Sequence, residues 1–332
     1  MIKIASNFNP LRIFSKSGPN VFISRLFRSF NTNSLFNVKS GIFPNYDLGL
    51  YLVKKGKLNF KKPYFLRNGG IYIDKVDTIK NSKFINSEIF KSAEYSKGII
   101  FNAEFCRKLF FSFYKLKNKI PTTVIYNGVP LSLFNPDGLN FRNRIGFSQK
   151  DKVIIVSASW RRHKRLEETI KLLEKLNDDN NENFRLIVLG KVDKTLRIKK
   201  NIYFAGEVIP SSLPNWYRSA DIYLHLSWIE PNANTLAEAI GSGLPCICTN
   251  NGGVGETVKM CNAGIVSNAD DDYQFNSVDY YNPPEPNYTE LKKDILTLFD
   301  NLKYFKNNID RNPINIDNIA VQYSDFINKN YK

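Results

Sequence analysis

Two glutamates separated by seven residues, Glu230 and Glu238, flank the predicted start of a helix. The apolar run at 221–226 is typical of a buried strand, and residues 235–240 have a helical pattern that ends at glycines. Glu230 therefore lies on the strand-to-helix loop and Glu238 lies within the helix. Free N–H groups and the positive dipole end at such a helix start suit a phosphate. The two carboxylates suit hydroxyl groups, such as those of a ribose or a sugar.

The same segment resembles the E-x7-E signature of family 4 glycosyltransferases, a large retaining group within group 1 that has the GT-B fold. Residues 238–245, with the sequence EAIGSGLP, are similar to that family's E-A-x-A-x-G-x-P motif. Gly252, Gly253 and Glu256 then follow in the family's Gly-Gly-x-x-Glu order. Two acids at this spacing are common by chance, and an ordinary loop with two solvated acids is the alternative. The combination with the strand, the helix and the later glycines makes the pattern specific.

The resemblance implies a retaining hexosyltransferase that moves a sugar from a nucleotide-diphosphate donor to an unidentified glycan, lipid or protein acceptor. It assigns Glu238 to the ribose hydroxyls and Glu230 to the donor sugar near the reacting centre. It also implies donor contacts along the loop and helix start, at Pro231, Asn232, Ala233, Asn234 and Leu236. Two alternatives remain open. One is a nucleotide-sugar epimerase or hydrolase on the same fold, and the other is a non-catalytic basic binding module for nucleic acid or membrane.

Basic residues follow the first strand of the second half, where the family usually places an arginine and a lysine against the donor diphosphate. Lys164 matches the lysine, whereas Ser159 stands at the arginine position. We therefore predict catalytic roles for Lys164 and Arg162 and a donor contact for Arg161. Fixed cations stabilise the charge that develops on a departing nucleoside diphosphate. An exposed helix start is the alternative, but positive charge is unfavourable there.

Three further donor contacts are implied by position within the family pattern. The similarity covers most of the chain from Thr122 onward and is weaker before it. Val208 follows a strand and glycine whose backbone neighbourhood often holds the nucleotide base in the family. Gly190 ends the preceding strand where relatives approach the nucleotide, and Gly18 matches a small-residue loop that approaches the diphosphate from the other domain. Ordinary turn chemistry is the alternative for the glycines.

The N-terminal part departs from the family at one position of interest. Many relatives carry a histidine after the third or fourth strand of this domain, but residues 1–125 contain none. Arg67, followed by Asn68-Gly69-Gly70, stands there instead, and we predict a catalytic role for it or for the nearby Asp74. A basic residue after a buried strand is also often structural.

No metal or other cofactor is expected, because cations and a helix start already serve the phosphates. Asp270-Asp271-Asp272 contains a D-x-D spacing, which metal-dependent transferases of another fold use, but we predict a solvated turn there. His225 lies within an apolar strand and is predicted to be a core residue. None of the four cysteines belongs to a CxxC pair, which indicates reduced thiols in a cytosolic protein.

The net charge of +16 is concentrated in the N-terminal part. Residues 1–125 contain 22 basic and 6 acidic side chains, whereas residues 126–332 contain 25 of each. Such asymmetry predicts an anionic partner, with an anionic membrane or glycan as candidates. Nucleic acid is disfavoured, because the aromatic residues form no RNA-binding motif. A solvated surface in a lysine-rich chain is the alternative.

Strands alternate with helices along the whole chain, which predicts an α/β protein with parallel sheets. The resemblance sharpens this to the GT-B fold, with two Rossmann-like, doubly wound domains facing each other across a cleft. We predict an N-terminal domain at 1–130, a linker at 131–148, a nucleotide-sugar domain at 149–312, and a helix at 313–332 that crosses back. The chain start lacks the apolar segment of a signal peptide, so we expect a cytoplasmic protein with peripheral contact at the inner membrane face.

Overall fold

A parallel six-stranded sheet forms the centre of the N-terminal domain. The computed structural model describes residues 1–7, 18–39, 45–55, 62–75, 82–179, 183–193 and 201–331. The strands run in the order β2-β1-β3-β4-β5-β6, and their bounds are β1 Lys3–Ala5, β2 Asn37–Val38, β3 Leu48–Leu52, β4 Tyr64–Asn68, β5 Gly98–Phe101 and β6 Thr122–Val124. Three helices pack with them: α1 Gly18–Thr32, α2 Ser82–Glu94 and α3 Glu104–Phe113.

A second parallel six-stranded sheet forms the C-terminal domain, in the order β12-β11-β10-β7-β8-β9. Its strands are β7 Lys152–Ser157, β8 Phe184–Leu189, β9 Ile202–Gly206, β10 Ile222–His225, β11 Cys246–Thr249 and β12 Gly264–Ser267. Its helices are α4 Leu166–Asp179, α5 Leu213–Tyr217, α6 Asn234–Gly241, α7 Val254–Met260, α8 Tyr288–Asp300 and α9 Leu302–Asn308. This is the strand order of a Rossmann fold, and the direction of winding reverses between β7 and β10.

Both faces of the C-terminal sheet are covered by apolar side chains. Alternate residues of β7 separate into two buried clusters, with Val153 and Ile155 on one face and Ile154 and Val156 on the other. A strand buried on both faces needs a continuous apolar run, which explains the sequence Val-Ile-Ile-Val at its centre.

Strand β3 was not predicted from the sequence, although it occupies the middle of the N-terminal sheet. It pairs with β1 on one side and β4 on the other. Its sequence, Leu-Gly-Leu-Tyr-Leu, has an interior glycine, which lowers the propensity of a strand. A Cβ at Gly49 would lie 2.7 Å from the Tyr51 ring, so the glycine makes room for that buried aromatic side chain.

The last helix, α10 Ile316–Tyr331, packs on the N-terminal domain. Ile319, Tyr323 and Ile327 are fully buried and belong to the same apolar cluster as Phe22 of α1. Each such side chain contributes roughly 1.5–3 kcal/mol on burial, so this packing holds the last helix firmly on the N-terminal domain. Residues 131–148 are irregular apart from one 3-10 turn at Asn143–Ile145, and Phe134 inserts into the C-terminal core.

No helix in the described ranges has both the length and the hydropathy that crossing a bilayer requires.

Candidate active site

Lys164 and Glu230 form an ion pair at the point where the C-terminal sheet reverses its winding. The loop with Lys164 follows β7 and the loop with Glu230 follows β10, and these strands are parallel neighbours. Their carboxyl ends therefore meet at one edge of the sheet, which is where open α/β sheets bind ligands. The backbone N–H of Trp228 donates to the backbone carbonyl of His163 at 2.8 Å, and this hydrogen bond holds the two loops together.

The environment of Glu230 favours its ionised form. Burial alone would raise the pKa of this carboxyl, but the Lys164 ammonium outweighs burial and holds the pKa below its usual value. The preceding residue, Ile229, is buried and has a φ of 54°, a left-handed conformation that is strained for a β-branched side chain. Such a conformation persists only where the surrounding packing enforces it. Residues strained in this way are frequent at functional sites.

Gly252 and Gly253 pack directly against the backbone of Glu230 and Pro231. A Cβ at Gly252 would lie 2.2 Å from the Glu230 carbonyl oxygen, and one at Gly253 would lie 2.0 Å from that of Pro231. The Gly253 N–H donates to the Glu230 carbonyl at 3.0 Å. Any side chain at either position would displace the loop, which explains the glycine pair in physical terms.

The start of α6 points at the same edge. Ala233 precedes the helix in an extended conformation, with φ −105° and ψ 124°, and no side chain caps the first turn within the described ranges. Its N–H groups therefore remain available to an anion. Pro231 lacks an N–H, so its backbone cannot donate a hydrogen bond to a ligand. The Leu236 side chain is fully buried in the core, which leaves only its backbone to face a ligand.

Two asparagines of this loop tie it to the N-terminal domain. Asn232 donates to the Asn102 carbonyl at 2.6 Å. Asn234 donates to the Gly18 carbonyl at 2.7 Å and accepts from Asn127 at 2.9 Å. The predicted donor contact Gly18 is thus the first residue of α1 and touches the start of α6 from across the cleft.

Glu238 is buried and accepts hydrogen bonds from both domains. Arg25, on α1, donates to one carboxylate oxygen at 2.6 Å, and Tyr217 donates to the other at 3.1 Å. The sequence analysis did not identify Arg25. Arg25 lies seven residues after Gly18, which places both on one face of α1, and this spacing is the signal that could have identified it.

We expect Arg25→Met to lower the free energy of unfolding by about 2–3 kcal/mol, because it leaves a buried carboxylate without its cation. Chemical denaturation measures the loss. Arg28→Met, an exposed arginine on the same helix, is the matched control and should change stability by less than about 0.5 kcal/mol. Adding Glu238→Gln to Arg25→Met should recover part of the loss, and strict additivity of the two changes would contradict the pairing.

The other two predicted cations near Lys164 are Arg161 and Arg162, and neither takes part in the ion pair with Glu230. The Arg162 guanidinium lies 2.5 Å from the Glu168 carboxylate on α4, and Arg161 is exposed. Of the three predicted cations, Lys164 is the one that contacts Glu230.

Asp270 contradicts the prediction of a solvated turn at 270–272. It is buried, and the equally buried Arg165 contacts both its carboxylate oxygens, at 2.8 and 2.9 Å. Only Asp271 and Asp272 are exposed. Arg165 also donates to the Pro284 carbonyl at 2.7 Å and adopts a left-handed φ of 54°. Because Arg165 directly follows Lys164, this buried pair fixes the turn that presents the lysine.

Arg67 is buried between β4 and the last helix, α10. Its guanidinium donates to the Tyr323 hydroxyl at 3.1 Å and to the Asn127 side chain, and it stacks over the Phe22 ring at 4.2 Å. Through Asn127 it reaches Asn234 at the start of α6. The structure therefore places Arg67 in contact with α10 and with the network that holds the loop, and Asp74 on a segment bridged to Val278.

Two histidines lie beside the ion pair and are neutral at pH 7. Burial, with Lys164 nearby, lowers the pKa of His163 to about 4, and burial likewise lowers the pKa of His225 to about 4. His225 was predicted as a core residue and is indeed buried, at 5% exposure. It also lines a small cavity together with Ser157, Trp160 and Lys164, and its Nε2 has no protein partner within the described ranges.

Gly190 and Val208 lie after neighbouring strands at the same edge of the sheet. Gly190 has a φ of 107°, and a Cβ there would lie 2.1 Å from the Ala158 carbonyl oxygen. Val208 is half-buried against the C-terminal core. Close packing explains the glycine, and the nucleotide contacts at Gly190 and Val208 stay predictions.

The sequence similarity to a known protein family lies mainly in the C-terminal domain. Residues 139–277 match the family profile of group 1 glycosyl transferases. An uncharacterised glycosyltransferase of Methanocaldococcus jannaschii is 26% identical over 208 residues, which cover 58% of this chain and 51% of that protein. The matched region thus spans about half of this curated relative.

Solved structures of low sequence identity resemble the chain over nearly its whole length. Sucrose-phosphate synthase from Thermosynechococcus elongatus has a TM-score of 0.73 at 14% identity, covering 100% of this chain and 99% of that one. HepE of Anabaena, in complex with UDP and glucose, has a TM-score of 0.65 at 14% identity, covering 99% and 100%. Together with the two Rossmann-like sheets, they confirm the predicted GT-B fold.

Proposed function

We propose that this chain, whose residues 139–277 match the group 1 glycosyl transferase profile, transfers a sugar from a nucleotide-diphosphate donor to an acceptor hydroxyl. The observation that carries the proposal is the Lys164–Glu230 pair at the switch point of the C-terminal sheet. It places a cation, a carboxylate and an open helix start within one ligand-binding edge.

The donor would lie along this edge with its ribose at Glu238 and its diphosphate at the start of α6. A carboxylate accepts hydrogen bonds from two vicinal hydroxyls, which suits the ribose. Arg25 donates a hydrogen bond to one carboxylate oxygen of Glu238. Ribose binding therefore exchanges a contact between domains for a contact with the donor.

Lys164 supplies the positive charge that stabilises the leaving diphosphate during sugar transfer. When the bond between the sugar and the diphosphate breaks, negative charge builds up on the leaving phosphate oxygen. The Lys164 ammonium, with the N–H groups of α6, stabilises that charge. Glu230, released from its pair, then accepts hydrogen bonds from the donor sugar and develops an attractive interaction with positive charge at the reacting carbon.

The finer features of the proposal follow from the motif resemblance. We place the chain among the retaining transferases of family 4, so the product keeps the anomeric configuration of the donor. Lys164 and the helix start serve the phosphates, so transfer proceeds without a divalent ion. A uridine nucleotide is the first donor to test, because the similar HepE structure contains UDP and glucose. We propose that the protein acts in the cytoplasm.

A transfer assay with UDP-, GDP- and ADP-sugars, run in EDTA, tests the proposal. We expect nucleotide release that depends on an added glycan or lipid acceptor and a product with the donor's anomeric configuration by NMR. Equal turnover without acceptor would identify a hydrolase or an epimerase instead. Binding to anionic polymers with no nucleotide-sugar response would favour the non-catalytic module.

A further inference from the structure

The outer side of α2 and α3 combines exposed aromatic rings with lysines. Among the described residues, every phenylalanine that counts as exposed lies on these two helices: Phe84 at 60%, Phe111 at 42% and Phe113 at 39% exposure. Tyr95, just after α2, is 73% exposed. All other phenylalanines in the described ranges are buried or half-buried, so this concentration is a local property of one surface.

The two helices are packed side by side, so their exposed rings belong to one surface. Phe90 of α2 stacks on Tyr114 at 4.3 Å between ring centroids and meets Phe110 of α3 edge-on at 5.4 Å. Tyr114 also donates to Glu94 at the end of α2, at 3.0 Å. These contacts fix the relative orientation of α2 and α3.

Lysines surround these rings. We call the surface the basic aromatic face and define it by its exposed residues: Lys83, Phe84, Lys91, Tyr95, Lys97, Lys108, Phe111, Phe113, Lys115, Lys117 and Lys119. Residues 82–119 contain eight basic and three acidic side chains. Two of the acids are engaged locally, since Glu94 accepts from Tyr114 and the Lys117 N–H, and Glu104 pairs with Arg107.

We propose that the basic aromatic face docks this protein on an anionic lipid bilayer. Phenylalanine rings enter the boundary between headgroups and acyl chains, while lysines bind the lipid phosphates. Lysine stems lie along the apolar surface and keep their ammonium groups in the headgroup layer. Recognition of nucleic acid bases needs side chains that hydrogen-bond base edges, and phenylalanine and lysine on helices supply few of these.

The docking face connects directly to the candidate site. Glu256, from the C-terminal domain, accepts the Glu104 and Phe105 N–H groups at the start of α3, both at 2.7 Å. One end of α3 therefore borders the cleft while its outer side meets the bilayer. A membrane-held acceptor would reach the cleft without leaving the surface.

Vesicle co-sedimentation tests this inference, with neutral phosphatidylcholine vesicles compared with vesicles that also contain anionic phosphatidylglycerol. We expect binding to the anionic vesicles at low salt and its loss at high salt. Lys108→Glu with Lys115→Glu should weaken binding by about tenfold or more, and Phe111→Ser with Phe113→Ser should weaken it independently of salt. All four positions are exposed, so thermal unfolding should match the wild type.

Lys303→Glu with Tyr304→Ser provides the matched control, since it makes the same kinds of change at exposed positions of α9. This variant should bind vesicles like the wild type. The proposal is overturned if both vesicle types bind equally, if neither binds, or if the α3 variants bind unchanged. It is also overturned if the face binds RNA and not vesicles. If an α3 variant loses stability, Lys91→Glu with Tyr95→Ser on the α2 side decides in its place.

Discussion

Replacing Lys164 with methionine should lower the rate of sugar transfer by roughly 100- to 1000-fold, the usual effect of removing one group that stabilises developing charge. Methionine keeps the length and much of the volume of the side chain but carries no charge. The loss should appear mainly in kcat, because the charge on the leaving diphosphate is greatest in the transition state. Steady-state kinetics with the best donor provides the measurement.

Lys171→Met is the matched control for this change. Lys171 also pairs with a carboxylate, Glu285 at 2.8 Å, but both side chains are more than half exposed. Its replacement should leave transfer within about twofold of the wild type, since exposed pairs contribute little. A Lys164→Met enzyme that is folded and retains normal kcat would remove Lys164 from the mechanism.

Replacing Asp270 with alanine should lower the free energy of unfolding by about 3–5 kcal/mol, because it leaves the fully buried Arg165 without its counter-ion. Both side chains of this pair have no solvent exposure. The turn with Lys164 should also lose its fixed position, so the folded fraction should show reduced transfer. Urea denaturation and kinetics on the same preparation measure the two effects.

Glu285→Ala is the appropriate comparison, because it removes the carboxylate of an exposed pair. We expect a loss of less than about 1 kcal/mol there. Equal stability losses in Asp270→Ala and Glu285→Ala would show that the buried pair has no special structural role.

The sequence predicted the C-terminal domain better than the N-terminal one for a physical reason. Strands such as β7 and β10 are buried on both faces, so their sequences are continuous apolar runs that are easily recognised. Gly252 and Gly253 indicate a place where two backbone segments approach closely. Strand β3 was not predicted because its interior glycine, which makes room for the buried Tyr51 ring, weakens the strand pattern in the sequence. Strand β2 has only two residues and gives no periodic pattern.

Within the site, position along the chain predicted the groups that follow neighbouring strands, such as Lys164 and Glu230. It did not predict contacts that depend on how the domains meet. Arg25 reaches Glu238 from the other domain, and Arg67 meets Tyr323 of α10. Asp270 was misjudged because a polar run of three aspartates resembles a solvated turn, and its buried partner lies 105 residues away.

Thermal stability in the presence of UDP, GDP, ADP and their sugar conjugates tests the nucleotide-sugar site most directly. A nucleotide at about 100 times its Kd should stabilise the wild type by about 2.7 kcal/mol. The account predicts a shift with one base in EDTA, its loss in Glu238→Ala, and its retention in Glu290→Ala, which removes a partly exposed carboxylate of α8 that pairs with Lys293. No shift with any nucleotide, or an undiminished shift in Glu238→Ala, would contradict it.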